Sequence, residues 1–150
     1  LSTGMSNIKE INQSLKYLNN TEVVIMHCVS EYPLKPQNSN LLAITKLKKE
    51  FPKFTIGYSD HCIGNLAVEI AVSLGAVVIE KHFTLNKNYR GTDHILSADF
   101  KDLKKLRNNI DLISSMLGSE SKKPSKKEST IRNFMRNRFK DCIFIYLKGI

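Results

Sequence analysis

Val77-Val78-Ile79-Glu80-Lys81-His82-Phe83-Thr84 and, upstream of it, Thr55-Ile56-Gly57-Tyr58-Ser59-Asp60-His61-Cys62 are the two stretches that decide the fold. Each begins as a short β-branched run and ends in ionisable and hydroxyl side chains. A buried parallel strand that delivers chemistry at its carboxyl end has this pattern. Side chains alternate faces along a strand, so Ser59 and His61 share one face of the first run, and Glu80 and His82 share one face of the second. Neighbouring strands lie ~4.8 Å apart, so parallel pairing of the two runs would let His61 and His82 reach a single ion.

Outward from these runs the chain alternates strand and helix. Ser2-Thr3-Gly4 reads as the end of a strand that begins upstream of Leu1. Asn7 is placed as a helix N-cap with Glu10 three residues on, and Ile8, Ile11, Leu15 and Leu18 make one apolar stripe that Asn19-Asn20 ends. Val23 to Met26 has no alternation, as expected of a strand covered on both faces, and it opens into a loop marked by Pro33 and Pro36. Leu41, Leu42, Ile44 and Leu47 predict a helix up to Glu50, closed by Pro52. Asn65 stands as the N-cap of the next helix and Gly75 as its C′ residue. A polar loop carrying Arg90-Gly91-Thr92-Asp93 follows the last strand. Ser97 or Asp99 then caps a helix with Leu103, Leu106, Ile110, Ile113 and Leu117 on one side, which Gly118 stops. Four such βα units with no antiparallel signal predict an α/β fold, either a doubly wound sheet or part of a (β/α)8 barrel.

The 150 residues, 41% of them hydrophobic, suffice for one domain with a sizeable core. The apolar runs are too short to cross a bilayer, and Leu1 to Asn20 lacks the basic start and apolar centre of a signal peptide, so the expected location is the cytoplasm, with no membrane partner. Cys28, Cys62 and Cys142 are odd in number and lack CxxC spacing, which argues against a disulfide framework and against a structural zinc knot. The formal charge of +9 is unevenly placed: nine Lys and Arg against three Asp and Glu lie between Gly118 and Ile150. Such a run is read as a solvated linker and tail. With no basic-aromatic motif beside it, no nucleic-acid partner is expected.

Taken in order and spacing, Leu1-Ser2-Thr3-Gly4-Met5, His27-Cys28-Val29-Ser30-Glu31-Tyr32-Pro33, Gly57-Tyr58-Ser59-Asp60-His61 and Ile79-Glu80-Lys81-His82-Phe83-Thr84 resemble the sialic acid synthase family. That family condenses phosphoenolpyruvate with N-acetylmannosamine or a related amino sugar, on a (β/α)8 barrel followed by a small antifreeze-like domain. The resemblance implies that residues 1–117 are the C-terminal half of the catalytic TIM barrel, strands five to eight. Residues 118–150 would then be a basic linker and truncated tail. It implies His61 and His82 as the ligands of a divalent metal, Mn2+ or Mg2+, and Ser2 and Ser59 as phosphate contacts. Ser30 takes a position that contacts phosphoenolpyruvate, Tyr32 and Asp93 face the sugar, and Glu80 is an acid beside the metal. Glu80 and Asp93 are therefore the expected catalytic groups. The full-length family implies a homodimer. The barrel's first half should also supply an acid, lysines and a threonine to the same pocket, and none of these lies in this chain.

The residues by themselves leave other readings open. His61 and His82 could be core histidines bonded to backbone, Glu80 an ion-pair partner of a strand-end lysine, Tyr32 a loop aromatic packed on Pro33, and Asp93 an Asx-turn residue beside Gly91. Cys62 has the opposite parity to His61, which favours a small core residue over a metal ligand. Three functions stand: a synthase of the sialic type, an inactive half-barrel of such a synthase, or another metal-dependent barrel enzyme such as an aldolase or hydrolase. Legionaminic and pseudaminic precursors join N-acetylmannosamine as candidate sugars. Gly91-Thr92-Asp93-His94 looks more like the sialic and legionaminic branch.

Overall fold

The computed structural model describes residues 1–18 and 22–138. Leu1–Gly118 forms one compact unit, and the chain beyond Gly118 a second.

In the first unit three parallel strands, β1 (Val24–Cys28), β2 (Thr55–Asp60) and β3 (Val78–Lys81), form one sheet in that order. Helix α1 (Ile8–Tyr17) precedes β1. Helices α2 (Ala43–Glu50) and α3 (Leu66–Ser73) connect the strands, and α4 (Phe100–Leu117) follows β3. The register pairs Met26 with Gly57 and Gly57 with Val78, and it ends with Asp60 opposite Lys81. Gly57 is required at this crossing, because a Cβ there would press on the Met26 sulfur and lie 2.6 Å from the Val78 carbonyl oxygen.

The expected strand at the N-terminus is reduced to one parallel bridge, Ser2 to Met26. Its bonds run from Thr3 N–H to Met26 O (3.1 Å) and from Met26 N–H to Leu1 O (2.9 Å). The run is cut short because the chain turns at once through Gly4 and Met5, the latter in the left-handed region at φ 61°.

Helix ends follow local chemistry. At α1, Asn7 Oδ1 accepts from the N–H groups of Lys9 (2.9 Å) and Glu10 (3.2 Å), and Glu10 returns the bond to Asn7 N–H (2.7 Å). The expected stop at Asn19-Asn20 lies outside the described residues. Asp99, of the two expected caps, starts α4 in the same reciprocal way with Asp102. Asn65 does not cap α3 with its side chain. Its backbone is already helical, and its Nδ2 donates instead to Asp102 O (2.9 Å), tying α3 to the first turn of α4. Gly75 ends α3 at φ 96°, where a side chain would be strained and would meet Lys48.

Strand parity sorts the interior. Ile25, Ile56 and Tyr58 face the helices and pack with Ile11, Ile44, Leu47, Phe51, Val68, Ala71 and Leu106. Burying each large apolar side chain contributes about 1.5–3 kcal/mol. Val24, Met26, Val78 and Glu80, with Leu1 and Leu18, line an open cleft of about 540 Å³ along the other side of the sheet.

In the second unit, the reading of residues 118–150 as linker and tail is amended by a helix, α5 (Lys126–Arg138). Ser125 and Glu128 start it with a reciprocal cap, and the run has no Gly or Pro to stop it. The apolar stretch Cys142 to Tyr146 lies outside the described residues. Among the described residues no helix is long and apolar enough to cross a membrane.

Candidate functional site

At the carboxyl ends of β2 and β3 the chain passes directly from ladder to loop, so the side chains just beyond the last rung sit at the sheet's rim. His61 and His82 occupy these positions. Their rings lie 5.4 Å apart between centroids at 71° to one another. Tyr32, from the loop after β1, lies over His61 at 4.1 Å and meets the His82 ring edge-on at 6.0 Å. Three rings from three successive strand ends thus form one cluster.

His61 is buried, and its Nδ1 lies 2.8 Å from the Val29 carbonyl oxygen. A ring nitrogen facing a carbonyl must be the protonated one, which leaves the lone pair of a neutral imidazole on Nε2. His82 is about one-third exposed, with Nδ1 3.8 Å from Asp93 Oδ2. Asp93 reaches this place because its loop is pinned back on the strand end. The Ser97 N–H and hydroxyl both bond Asp93 O (3.1 and 2.7 Å), and Ala98 N–H bonds His82 O (2.8 Å). Thr84 Oγ1 adds a bond of 2.8 Å to His94 Nδ1.

One rung below the histidines, Ser59 is buried and donates its hydroxyl to Glu80 Oε1 at 2.6 Å, while Glu80 itself is exposed. Burial first, then the charges of Cys28, Asp93 and Glu80, raises the Tyr32 hydroxyl above its ordinary pKa, which keeps it a donor.

The other two predicted residues stand apart. Ser2 is exposed and in register with Met26 and Gly57, so it lies two residues short of Ser59 along the sheet. The buried hydroxyl on that segment is Thr3, which donates to Met26 O at 2.8 Å. Ser30 is exposed in the loop after β1, with its hydroxyl against the Cα of Gly4.

The two imidazoles fit a divalent cation as a pair of nitrogen donors. Among the described residues no group of three or more His, Cys, Asp or Glu side chains forms a fuller cage, so any further ligands would come from water, substrate or other protein segments. Cys62 is not suited to the task. Burial, followed by the Asp60 charge, pushes its thiol pKa up, whereas a ligand must be a thiolate. The alternative reading of Glu80 as partner of a strand-end lysine is not realised, because Lys81 pairs with Asp60. In the sequence Asp60 and Lys81 carry no motif that assigns them a role. Their one signal there is the alternation that places them opposite to Ser59, His61, Glu80 and His82.

A parallel α/β domain with imidazole, phenol and carboxylate groups gathered at the carboxyl ends of adjacent strands belongs to the class that places binding sites at that edge of the sheet. The chain is a member of the NeuB family, whose model matches residues 1–122. Its α/β fold is similar to that of the N-acetylneuraminic acid (sialic acid) synthetase from Leptospira borgpetersenii. That crystal structure, in complex with citrate, aligns with a TM-score of 0.81 at 34% identity, over 95% of this chain and 50% of that one. The N,N'-diacetyllegionaminic acid synthase of Legionella pneumophila is 41% identical over 143 residues, covering 91% of this chain and 40% of that protein. Human N-acetylneuraminate-9-phosphate synthase is 38% identical over 125 residues, covering 81% of this chain and 34% of that protein. The chain therefore spans well under half the length of these curated relatives.

Proposed function

We propose that this chain contributes the C-terminal half, strands five to eight, of a (β/α)8 synthase that condenses phosphoenolpyruvate with N-acetylmannosamine or a related amino sugar and releases phosphate. The observation that carries the reading is the convergence of His61 and His82 beneath Tyr32 at adjacent strand ends. The sheet supports it as well: its helices cover one face, whereas parallel sheets are ordinarily covered on both, as a barrel's strands are by their own interior.

In this reading His61 and His82 hold Mn2+ or Mg2+, which when bound supplies Lewis acidity toward the sugar's carbonyl oxygen. The Val29 carbonyl holds His61 in the tautomer that presents Nε2. Tyr32 walls the site and offers a hydroxyl donor to the sugar. Asp93, with Oδ2 3.8 Å from His82 Nδ1, faces the same substrate. Ser59 holds the Glu80 carboxylate by a hydrogen bond, and Glu80 is the group assigned to take or return a proton at the reacting sugar. Ser2, Ser30 and Ser59 are the hydroxyls for phosphate and carboxylate, Ser59 only when its single proton turns from Glu80 to the substrate; Ser2 would need the barrel's other strands around it to share that role. The expected setting is a cytoplasmic homodimer that binds neither membrane nor nucleic acid. The Gly91-Thr92-Asp93-His94 segment favours the sialic or legionaminic sugar over the pseudaminic one.

A second reading, in which the chain by itself is an inactive half-barrel, draws on the share of its relatives that it spans. One experiment separates the two. The chain is assayed with phosphoenolpyruvate, Mn2+ and each sugar, alone and fused behind the N-terminal half of a full-length relative. Turnover by the fusion, lost in its His61→Ala and His82→Ala forms, is the expected result. The chain alone should be slower by on the order of 10³ or more, because electrostatic stabilisation from the other half is lacking. A fusion whose metal-dependent condensation survives both substitutions would remove the site assignment.

A further inference from the structure

On the face opposite the histidines, the same two strand ends carry a second polar cluster that the proposed chemistry leaves unused. Asp60 of β2 and Lys81 of β3 are the last paired rung of the ladder. Their side chains are 0% and 3% exposed, with Lys81 Nζ 2.7 Å from Asp60 Oδ2. The other carboxylate oxygen, Oδ1, accepts from the Tyr58 hydroxyl and from Cys62 N–H, each at 2.9 Å. Lys81 Nζ donates a second bond to the Cys62 carbonyl at 2.7 Å. Asp60 and Cys62 bracket His61 in the chain, and Lys81 directly precedes His82.

A buried ion pair is a poor device for stability alone, since apolar residues of the same volume often serve as well or better. What this pair supplies is geometry. The carboxylate grips the backbone on the far side of His61, and the ammonium ties the end of β3 to that same peptide segment. Both histidines stand just past the last rung, where the sheet's own pairing no longer registers one strand against the other.

We propose that the Asp60–Lys81 pair is a positioning device: it fixes the two strand ends so that His61 keeps its Nδ1–H bond to Val29 and converges with His82 on one divalent cation. The convergence on a cation rests on the reading of the histidines as metal ligands. The orientation of His61 does not.

The test compares the full chain with Asp60→Leu/Lys81→Met, which removes both charges at similar volume and orphans neither, and with Lys81→Arg, which keeps the charge. Circular dichroism and urea unfolding report the fold, ¹⁵N–¹H correlation of the imidazoles reports the His61 Nδ1–H signal, and calorimetric titration reports Mn2+ affinity. The double variant is expected to fold, to lose the single His61 Nδ1–H signal, and to bind Mn2+ about 10–100-fold more weakly. Lys81→Arg is expected to recover much of both. A folded double variant with the parental imidazole signal and parental Mn2+ affinity overturns the proposal. Should it not fold, Asp60→Asn/Lys81→Gln keeps a hydrogen bond without the charges, and the same readouts decide. If His61→Ala leaves Mn2+ binding of the parent unchanged, the metal reading fails on its own account, and the His61 signal alone decides whether the pair positions the ring.

Discussion

The two faces of the β2 and β3 strand ends carry equally polar side chains and treat them in opposite ways. Toward the helices, Asp60, Lys81 and Tyr58 are buried, and each has its partner within the first unit. On the other face Ser59 and His61 are buried as well, but Glu80, His82 and Asp93 are partly open to solvent, and His82 and Asp93 stand 3.8 Å apart with no hydrogen bond between them. The difference teaches where structure ends and chemistry begins on one piece of backbone. Satisfied polar groups in a low-dielectric layer hold a shape, whereas groups with spare bonding capacity at a wet rim can take a ligand.

The sharpest way to break this comparison is to remove one buried charge. Lys81→Met leaves the Asp60 carboxylate without its countercharge, and Asp60→Leu leaves the ammonium; either is expected to cost about 3–5 kcal/mol in urea unfolding. His82→Ala, on the open face, should stay within about 0.5 kcal/mol. Equal losses from Lys81→Met and His82→Ala would erase the distinction between the faces.

A smaller loss is expected from Tyr58→Phe. The ring stays, buried and stacked 5.7 Å from His27, and only the hydroxyl that donates to Asp60 is lost. Burial, then the neighbouring Asp60 charge, drives the Tyr58 pKa far upward, which keeps the hydroxyl protonated as a donor. Removing a hydrogen bond to a charged acceptor should cost about 1.5–3 kcal/mol, measured by the same unfolding curves, with no change in Mn2+ affinity beyond what the Asp60–Lys81 variants show.

Much of the open face was legible in the sequence, and the buried face was not. Period-two alternation placed Ser59 with His61 and Glu80 with His82, and family resemblance brought Tyr32 and Asp93 to the same rim from distant loops. The Asp60–Lys81 pair escaped because it depends on which strand neighbours which and in what register, and alternation within a single strand carries neither. Ser2 shows the same limit: a hydroxyl near a presumed strand end was legible, but the register with Met26 that sets it short of Ser59 was not. Residue type marks Asn65 as a cap, yet a tertiary partner, the Asp102 carbonyl, takes its amide. Helix α5 was hidden inside a composition that reads as linker, because a short reciprocal cap at Ser125 and Glu128 outweighs the charge run.

A second Lys–Asp pair, Lys87 with Asp102, tests burial as the decisive variable at the smallest expected effect. These side chains are 36% and 29% exposed, against 3% and 0% for Lys81 and Asp60. The hydrogen bond from Lys87 is the largest cause of a lowered Asp102 pKa. A carboxyl whose folded pKa lies below its unfolded value of about 3.9 contributes stability that is fully present above that pH and is lost as the pH falls through the folded value. Asp102→Asn keeps an acceptor for the Asp99 cap and removes only the charge. Asp102→Asn should therefore be less stable than the parent at neutral pH, by up to about 1 kcal/mol, and the two should converge as the pH falls through the lowered folded pKa of Asp102. Raising salt toward 1 M, where the Debye length shrinks to about 3 Å, should close most of the gap at neutral pH, since this pair is within reach of solvent. The Lys81→Met loss should change little under the same salt. A Lys87–Asp102 contribution that resists both acid and salt would mean that exposure is not what separates the two pairs.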